Sequence, residues 1–260
     1  MKEHIQDIKK IVIKIGSTTM TNEDGYIDRE FLDNLAFQVK NLMDEGKKVI
    51  IVSSGAQIAG VSSIGKWSRH KDLHYKQALC AIGQVELMDS YRKSFIEHDL
   101  HVGQILLTKG DFGSEHRTLN IRNTLFTLID ESIVPIINEN DSVSVDEIKI
   151  GDNDMLSARA SVLWGADLLV ILSDIDGIYD KDPRQAGAKL IKEIRDVSQL
   201  DIEIGETSSF GTGGIETKIK AASLVNSYNI PLIVAKGKEK DLITQLFQGK
   251  KKGTIFLPKG

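Results

Sequence analysis

One cysteine, Cys80, stands in a chain of 260 residues. An intrachain disulfide and a zinc centre built from cysteines are therefore excluded. No apolar run approaches the roughly 18 residues that a membrane-spanning helix needs, and the N-terminal MKEHIQDIKK has no apolar signal region. A reducing cytoplasm is the expected setting. Charge of one sign is also lacking: 33 Lys and Arg against 37 Asp and Glu leave a formal charge of −4, which gives no electrostatic reason to expect nucleic acid or an anionic membrane as a partner. The basic stretches KGKEKD and GKKKG are expected to be solvated loops. No histidine has a metal-ligand or triad setting. His70 and His74 are four residues apart, but in a polar stretch without a third ligand. Neither G-x-x-x-x-G-K-[ST] nor G-x-G-x-x-G occurs, which disfavours a P-loop enzyme and a simple dinucleotide-binding dehydrogenase. Ser53 and Ser54 lack a G-x-S-x-G context, which disfavours a hydrolase elbow.

What is present is ordinary globular material, with 41% apolar residues and enough length for one large domain or two lobes. Apolar runs end at Ile15, Val52, Thr108, Asn138, Ser173 and Ala235 and read as strands, with GTIFL as a last one. Between them, helical periodicity covers 28–45, about 75–98, 119–131, 155–164 and 215–227. Several strands are apolar on both faces (VIIV, LLVIL, PLIV), which predicts a three-layer αβα sandwich around a largely parallel sheet. Such sheets bind ligands beyond the carboxyl ends of their strands. Four polar or glycine-rich segments fall there: GSTT, SSGA, NEND and SDIDG. One such turn carries little meaning. Four in register predict one site along one sheet edge.

Individual residues leave two readings each. Lys14 lies inside IVIKI, where a buried cation needs an anion. It is either a phosphate-contacting lysine, as the following Gly16, Ser17 and Thr18 suggest, or a strand-end lysine whose head reaches water. SSGA is either an anion-binding strand-to-helix turn or a plain turn. GTGGIETK, with Lys218 one turn into a helix, is a phosphate-binding helix start or a flexible loop. NEND and GDND flank the alternating SVSVDEIKI, which reads as a hairpin bringing both clusters toward one cavity. Crowded acids need compensating cations, and the mix of Asn and Asp suits a zwitterionic amino acid. The alternative is an acidic surface hairpin. Cys80, within ALCAIG, reads as a small core residue.

Taken together, KIGST (14–18), VSSGA (52–56), HVGQILLT (101–108), NEND (138–141), KIGDND (149–154), SDIDGIYDKDPR (173–184) and GTGGIETK (211–218) resemble the amino acid kinase family over essentially the whole chain. NEND followed by GDND places the resemblance in its glutamate-phosphorylating branch, apart from the carbamate, uridylate, aspartate and acetylglutamate kinases that share the fold. The resemblance implies a carbamate kinase-like fold in a single domain, 1–260, with an acceptor lobe to about residue 172 and a nucleotide lobe from about 173. The C-terminal PUA domain of many members is expected to be absent. It also implies ATP-dependent phosphorylation of the L-glutamate side-chain carboxylate, with Mg²⁺ on the phosphates and not on a dedicated protein metal site. The product is γ-glutamyl phosphate, the start of proline biosynthesis. Proline is implied as feedback inhibitor, a glutamyl phosphate reductase as a possible partner, and a dimer or tetramer as the assembly. By position, the resemblance implies that Lys14 and Lys218 contact the transferring phosphoryl group, and that Asp154 orients them with Asp152 nearby. Ser54, Asn138, Asp141 and Asn153 are implied as glutamate ligands. Lys14, Gly16, Ser173, Asp174, Thr212, Gly213, Gly214, Ile215, Glu216, Thr217 and Lys218 are implied as the nucleotide site. Two rivals are weighed beside this: the same fold acting on another acceptor, and a non-catalytic effector sensor, which would have no need of Lys14, Asp154 and Lys218.

Overall fold

Alternation along the first strand decides how the layers form. In β1 (Lys10–Ile15), Ile11, Ile13 and Ile15 point to one face and Val12 and Lys14 to the other. All but Lys10 are buried. The computed structural model describes residues 5, 7–65, 72–144, 153–197, 200, 214–250 and 253–259. Among these, β1 sits inside an eight-stranded sheet with β2 (Lys48–Ser53), β3 (His101–Leu107), β4 (Ile133–Glu139), β5 (Leu168–Ser173), β8 (Glu193–Ile194), β9 (Leu232–Lys236) and β10 (Thr254–Phe256), in the order β3-β4-β2-β1-β5-β9-β10-β8. The pairings are parallel except β9 with β10. A separate two-stranded ribbon joins β6 (Ile178–Tyr179) to β7 (Leu190–Ile191).

Helices cover both faces. The Ile11–Ile13–Ile15 face packs against α2 (Arg29–Asp44), α3 (Ala56–Ile64), α4 (Leu73–Ile96) and α8 (Leu242–Phe247). The Val12 face packs against α5 (Glu115–Asp130), α6 (Asn153–Trp164) and α7 (Ile215–Asn226). Local chemistry explains the boundaries. In α2 the Asp28 carboxylate accepts from Phe31 N–H at 3.0 Å, and Leu32, Leu35, Ala36, Val39 and Leu42 form the buried stripe. Gly46, with φ 78°, ends the helix. None of the described helices is long and apolar enough to cross a membrane.

The predicted three-layer, mostly parallel architecture is what forms. The differences are small. A one-turn helix, α1 (Ser17–Met20), follows β1, and a 3₁₀ turn covers Lys109–Gly113. Both are too short for periodicity to reveal. LITQLF forms α8 directly after the charged stretch read as a loop, and Lys238 within that stretch donates to Thr21 O at 2.6 Å. Helix α6 begins at Asn153, two residues before the apolar pattern does. Most of the expected hairpin between NEND and GDND lies outside the described residues. Asp141–Val143 form the turn that leaves β4.

The crossing of α3 and α4 sets the position of everything α4 contributes. A Cβ on Gly60 would lie 1.9 Å from Leu79 O, and one on Gly83 would lie 1.7 Å from Ala56 O. The two helices therefore meet backbone to backbone, and only glycine permits it. Gly83→Ala improves helix propensity by about 1 kcal/mol, yet forces the helices apart. We expect a net destabilisation of about 2–3 kcal/mol, read as a lower denaturant midpoint at unchanged slope. A variant as stable as the parent would show that the crossing can open without cost.

Candidate active site

The strands β4, β2, β1 and β5 are adjacent, so the four polar segments predicted after them share one edge of the sheet. The chain leaves β1 toward β2 on one side and β5 toward β9 on the other. The space between β1 and β5 is a topological switch point, the usual ligand position in such sheets. Lys14 lies one residue before the end of β1, on the face covered by α6 and α7. The first turn of α6 supplies Asp154 and the first turn of α7 supplies Lys218.

These three side chains meet. Lys14 Nζ lies 2.7 Å from Asp154 Oδ1, and Lys218 Nζ lies 3.2 Å from Asp154 Oδ2. Thr217 Oγ1 donates to the same Oδ2 at 2.8 Å. Asp154 is 0% exposed, Lys218 3% and Lys14 6%, so the two ammonium groups from opposite ends of the chain share one carboxylate away from water. Burial alone would raise the Asp154 carboxyl. The charges of Lys14 and Lys218 outweigh it and hold the group well below the usual carboxylate range. Burial pushes the Lys218 ammonium down; Asp154 opposes that and Lys14 adds to it. Among the described residues the charged groups acting on Lys218 include Asp154, Lys14 and Asp174, the last of them exposed. Two ammonium groups held together in a buried position suit an anionic ligand such as a phosphate. Gly16 stands beside it: a Cβ there would lie 3.7 Å from Lys14 Nζ.

The neighbour of Asp154 reaches the other way. Asn153 Nδ2 lies 2.9 Å from Ser53 O, 2.8 Å from Ser54 Oγ and 3.1 Å from Asn138 Oδ1. It thereby joins the ends of β2 and β4 to the start of α6. Asn138 Oδ1 also accepts from Glu139 N–H at 2.9 Å, and Asn138 Nδ2 donates to Gln84 Oε1 at 3.3 Å. Asp141 follows in the turn. Burial pushes its carboxyl up to about 6, with a hydrogen bond from the Cys80 thiol acting in the opposite direction. Gln77 Nε2 holds the Asp141 backbone carbonyl at 3.1 Å.

The structure therefore brings Lys14, Gly16, Asp154, Thr217 and Lys218 together, and Ser54, Asn138 and Asn153 together, with Asn153 and Asp154 as the link, while Asp141 is held by Gln77 and Cys80 of α4, the helix that meets Asn138 through Gln84. Ser173 ends β5 on the Lys14 face, and its hydroxyl donates to Asp174 Oδ1 at 3.0 Å. Gly214 caps α7, Ile215 begins it, and Glu216 turns to Lys220 at 2.7 Å on the exposed side of that helix. Asp152, Thr212 and Gly213 lie outside the described residues. The sequence reading missed four contributors on α4: Gln77, Cys80, Gln84 and Tyr91. Tyr91 is fully buried and its hydroxyl donates to Ser53 Oγ at 3.0 Å. The signal was there. These four polar or polarisable residues recur at intervals of three, four and seven along one helix face. Read with the apolar residues around them, they pass for core.

Residues 9–236 match the model of the amino acid kinase family. The chain is 58% identical over 259 residues to a protein of Alkaliphilus oremlandii named glutamate 5-kinase, covering 97% of this chain and 98% of that one. It is 55% identical to the protein of that name from Alkaliphilus metalliredigens, covering 98% of each. Among solved structures, carbamate kinase from Giardia lamblia bound to AMP-PNP superposes with a TM-score of 0.67 at 14% identity, covering 97% of this chain and 99% of that one, which is a likeness of fold.

Asp154→Asn removes the shared counter-charge and leaves two buried ammonium groups facing each other. The expected loss of stability is about 3–5 kcal/mol, measured by chemical denaturation. Inorganic pyrophosphate should raise the midpoint of this variant more than that of the parent, because the uncompensated positive charge is greater. Equal response to the anion would mean that the ammonium pair is not open to it.

Proposed function

The chain belongs to the amino acid kinase family and is a kinase, and from that premise we propose that it transfers the γ-phosphoryl group of ATP to the side-chain carboxylate of L-glutamate. The products are γ-glutamyl phosphate and ADP, and the reaction opens proline biosynthesis. One observation carries the reading. A single helix start holds, on adjacent residues, the carboxylate that gathers two buried lysines and the amide that gathers the candidate acceptor residues.

The chemistry follows from charge. A glutamate side chain has a reference pKa near ~4.3, so at neutral pH it is already a nucleophile. No general base is needed. The obstacle is the approach of one anion to another, and it is met by positioning and neutralisation. Lys14 and Lys218 supply positive charge at the transferring group, and Asp154 fixes both ammonium groups in place. The amides at the start of α7 add fixed dipoles. The Thr217 hydroxyl, its proton shared between Asp154 Oδ2 and Gly214 O, links the start of α7 to the charge centre. Ser54, Asn138, Asp141 and Asn153 hold the acceptor. Ser173 and Asp174 border the nucleotide, and the same role is assigned by resemblance to Thr212 and Gly213. Asp152 is assigned by resemblance to the neighbourhood of Asp154. Among the described residues no three His, Cys, Asp or Glu side chains gather as a metal site. The described groups at the proposed phosphoryl position are two ammoniums and one carboxylate. In this reading Mg²⁺ enters on the nucleotide phosphates, as part of the substrate. The reading extends to inhibition by proline, to a symmetric oligomer, and to delivery of the reactive acyl phosphate to a reductase.

The test is an ATP-dependent hydroxylamine trap with a panel of acceptors. Hydroxamate should form with glutamate and not with aspartate, carbamate or uridylate, and added proline should suppress it. Formation with another acceptor alone would reassign the substrate. Under the same assay Lys218→Ala should lower kcat by ~10²-fold or more. Near-normal turnover would remove Lys218 from the reaction.

Asp141 gives a pH prediction. Its carboxyl is raised to about 6 in the ligand-free protein, so it is charged above that pH and neutral below it. An ammonium partner needs the charged form. The glutamate KM should therefore rise as pH falls through about 6, while the ATP KM stays level. Asp141→Asn should raise the glutamate KM at neutral pH and flatten the profile. A profile unchanged by the substitution would remove Asp141 from the ammonium site.

A further inference from the structure

Two buried polar atoms flank Asn138, and the hydrogen-bond network fixes what each can do. The backbone N–H of Glu139 can only donate, and Asn138 Oδ1 receives it at 2.9 Å. Asn138 Nδ2 therefore faces Gln84, and Gln84 must present its oxygen, at 3.3 Å. That leaves Gln84 Nε2 buried, carrying two N–H donors, and without an acceptor among the described residues. On the other side, Asn153 Nδ2 faces the carbonyl of Ser53, which can only accept. That leaves Asn153 Oδ1 buried without a donor among the described residues. Buried polar groups are seldom left so, and each one asks for an explanation. The two are opposite in sense, a donor and an acceptor, joined through one asparagine side chain. Asp141, held by Gln77 and Cys80 from the same helix face as Gln84, adds a carboxylate to this wall.

We infer that Gln84 is a specificity-determining residue of the acceptor site: its Nε2 donates to the α-carboxylate of an α-amino acid, while Asn153 Oδ1 and Asp141 take the α-ammonium. The inference rests on the acceptor reading above and deepens it. It says which end of the zwitterion meets which wall, and it gives α4 a share in choosing the substrate. The tight crossing at Gly60 and Gly83 then acquires a purpose, since Gly83 directly precedes Gln84 and a Cβ there would collide with Ala56 O. The side chain that the described residues show against Gln84 is the amide of Asn138, which carries no charge.

Gln84 also supports Asn138, so the test must separate binding from support. Gln84→Glu does so. An introduced carboxyl oxygen can still accept from Asn138 Nδ2, while the free end turns from a donor into an anion facing the ligand carboxylate. The hydroxamate assay with the full chain is run for parent and variant, with ATP and glutamate varied separately and thermal unfolding measured alongside. The expected result is a glutamate KM raised about 10- to 100-fold, the scale of losing a hydrogen bond to a charged group, with the ATP KM and the melting temperature close to the parent's. A glutamate KM within about 3-fold of the parent's, well below that scale, overturns the inference while leaving the glutamate reading intact. No hydroxamate from the parent itself would sink the reading and this inference with it. Should Gln84→Glu fail to fold, Gln84→Met is compared with the parent for its preference for glutamate over γ-aminobutyrate, which lacks the α-carboxylate, as competing ligands. A narrowed preference supports the carboxylate contact. A preference equal to the parent's reduces Gln84 to a support for Asn138 and overturns it.

Discussion

One buried carboxylate organises this molecule. Asp154 has no exposure and binds the ammonium groups of Lys14 and Lys218, which come from the first strand and from a helix two hundred residues later. Neither lysine is tolerable at its position without it, because a buried cation lacking a partner costs several kcal/mol. Asp154 in turn is held in its ionised form, against its burial, by those cations and by the Thr217 hydroxyl. A buried ion pair adds little stability against an apolar alternative, and a buried triad is no exception. Such a cluster is explained by what it binds.

The two faces of the sheet divide the work. Lys14, by the alternation of β1, lies with Val12 under α6 and α7. Ser53 and Asn138, by the alternation of β2 and β4, lie toward α4, where Tyr91 and Gln84 meet them. The buried lysines and the candidate acceptor residues are thus built on opposite sides of one layer and can only meet at its edge. The first turn of α6 performs that junction, since Asn153 reaches over to β2 and β4 while Asp154 turns back to the lysines. Two consecutive helical residues point about 100° apart, and that divergence is enough to serve both sides. A shift of the helix start by one residue would lose one of the two functions.

Much of this was legible before any coordinates. Strand order aside, the layers follow from apolar runs buried on both faces, and the shared edge follows from four polar turns in register. Lys14 was visible as a charge inside an apolar strand, and Lys218 as a lysine one turn into a glycine-led helix. That they meet was not visible from spacing, because nothing local relates residue 14 to residue 218. Resemblance supplied that expectation, and the distances to Asp154 give it physical form. The α4 contributors carry no local signal for the site. Gln77, Gln84 and Tyr91 lie among leucines and alanines, and their partners are up to 64 residues away in the chain. Cys80 was taken for core and is buried, but its thiol meets Asp141. A polar residue on a buried helix face declares that it has a partner, never which one.

The absence of a candidate base, a gap in the sequence alone, becomes an argument once the site is assembled. Proton abstraction would call for a group poised near neutrality at the transfer point. Asp154 is held far below that range, and the Lys218 ammonium is pushed down by burial while Asp154 opposes the fall and Lys14 adds to it. The carboxyl raised into the neutral range is Asp141, which lies with the acceptor residues and not with the lysines. A nucleophile that needs deprotonation, such as a hydroxyl, finds no partner at the lysines among the described residues. A nucleophile that is already an anion needs none and is drawn by the two ammonium groups. Under the proposed reading the lysines favour an anionic acceptor, and the polar stripe on α4 contributes to which one.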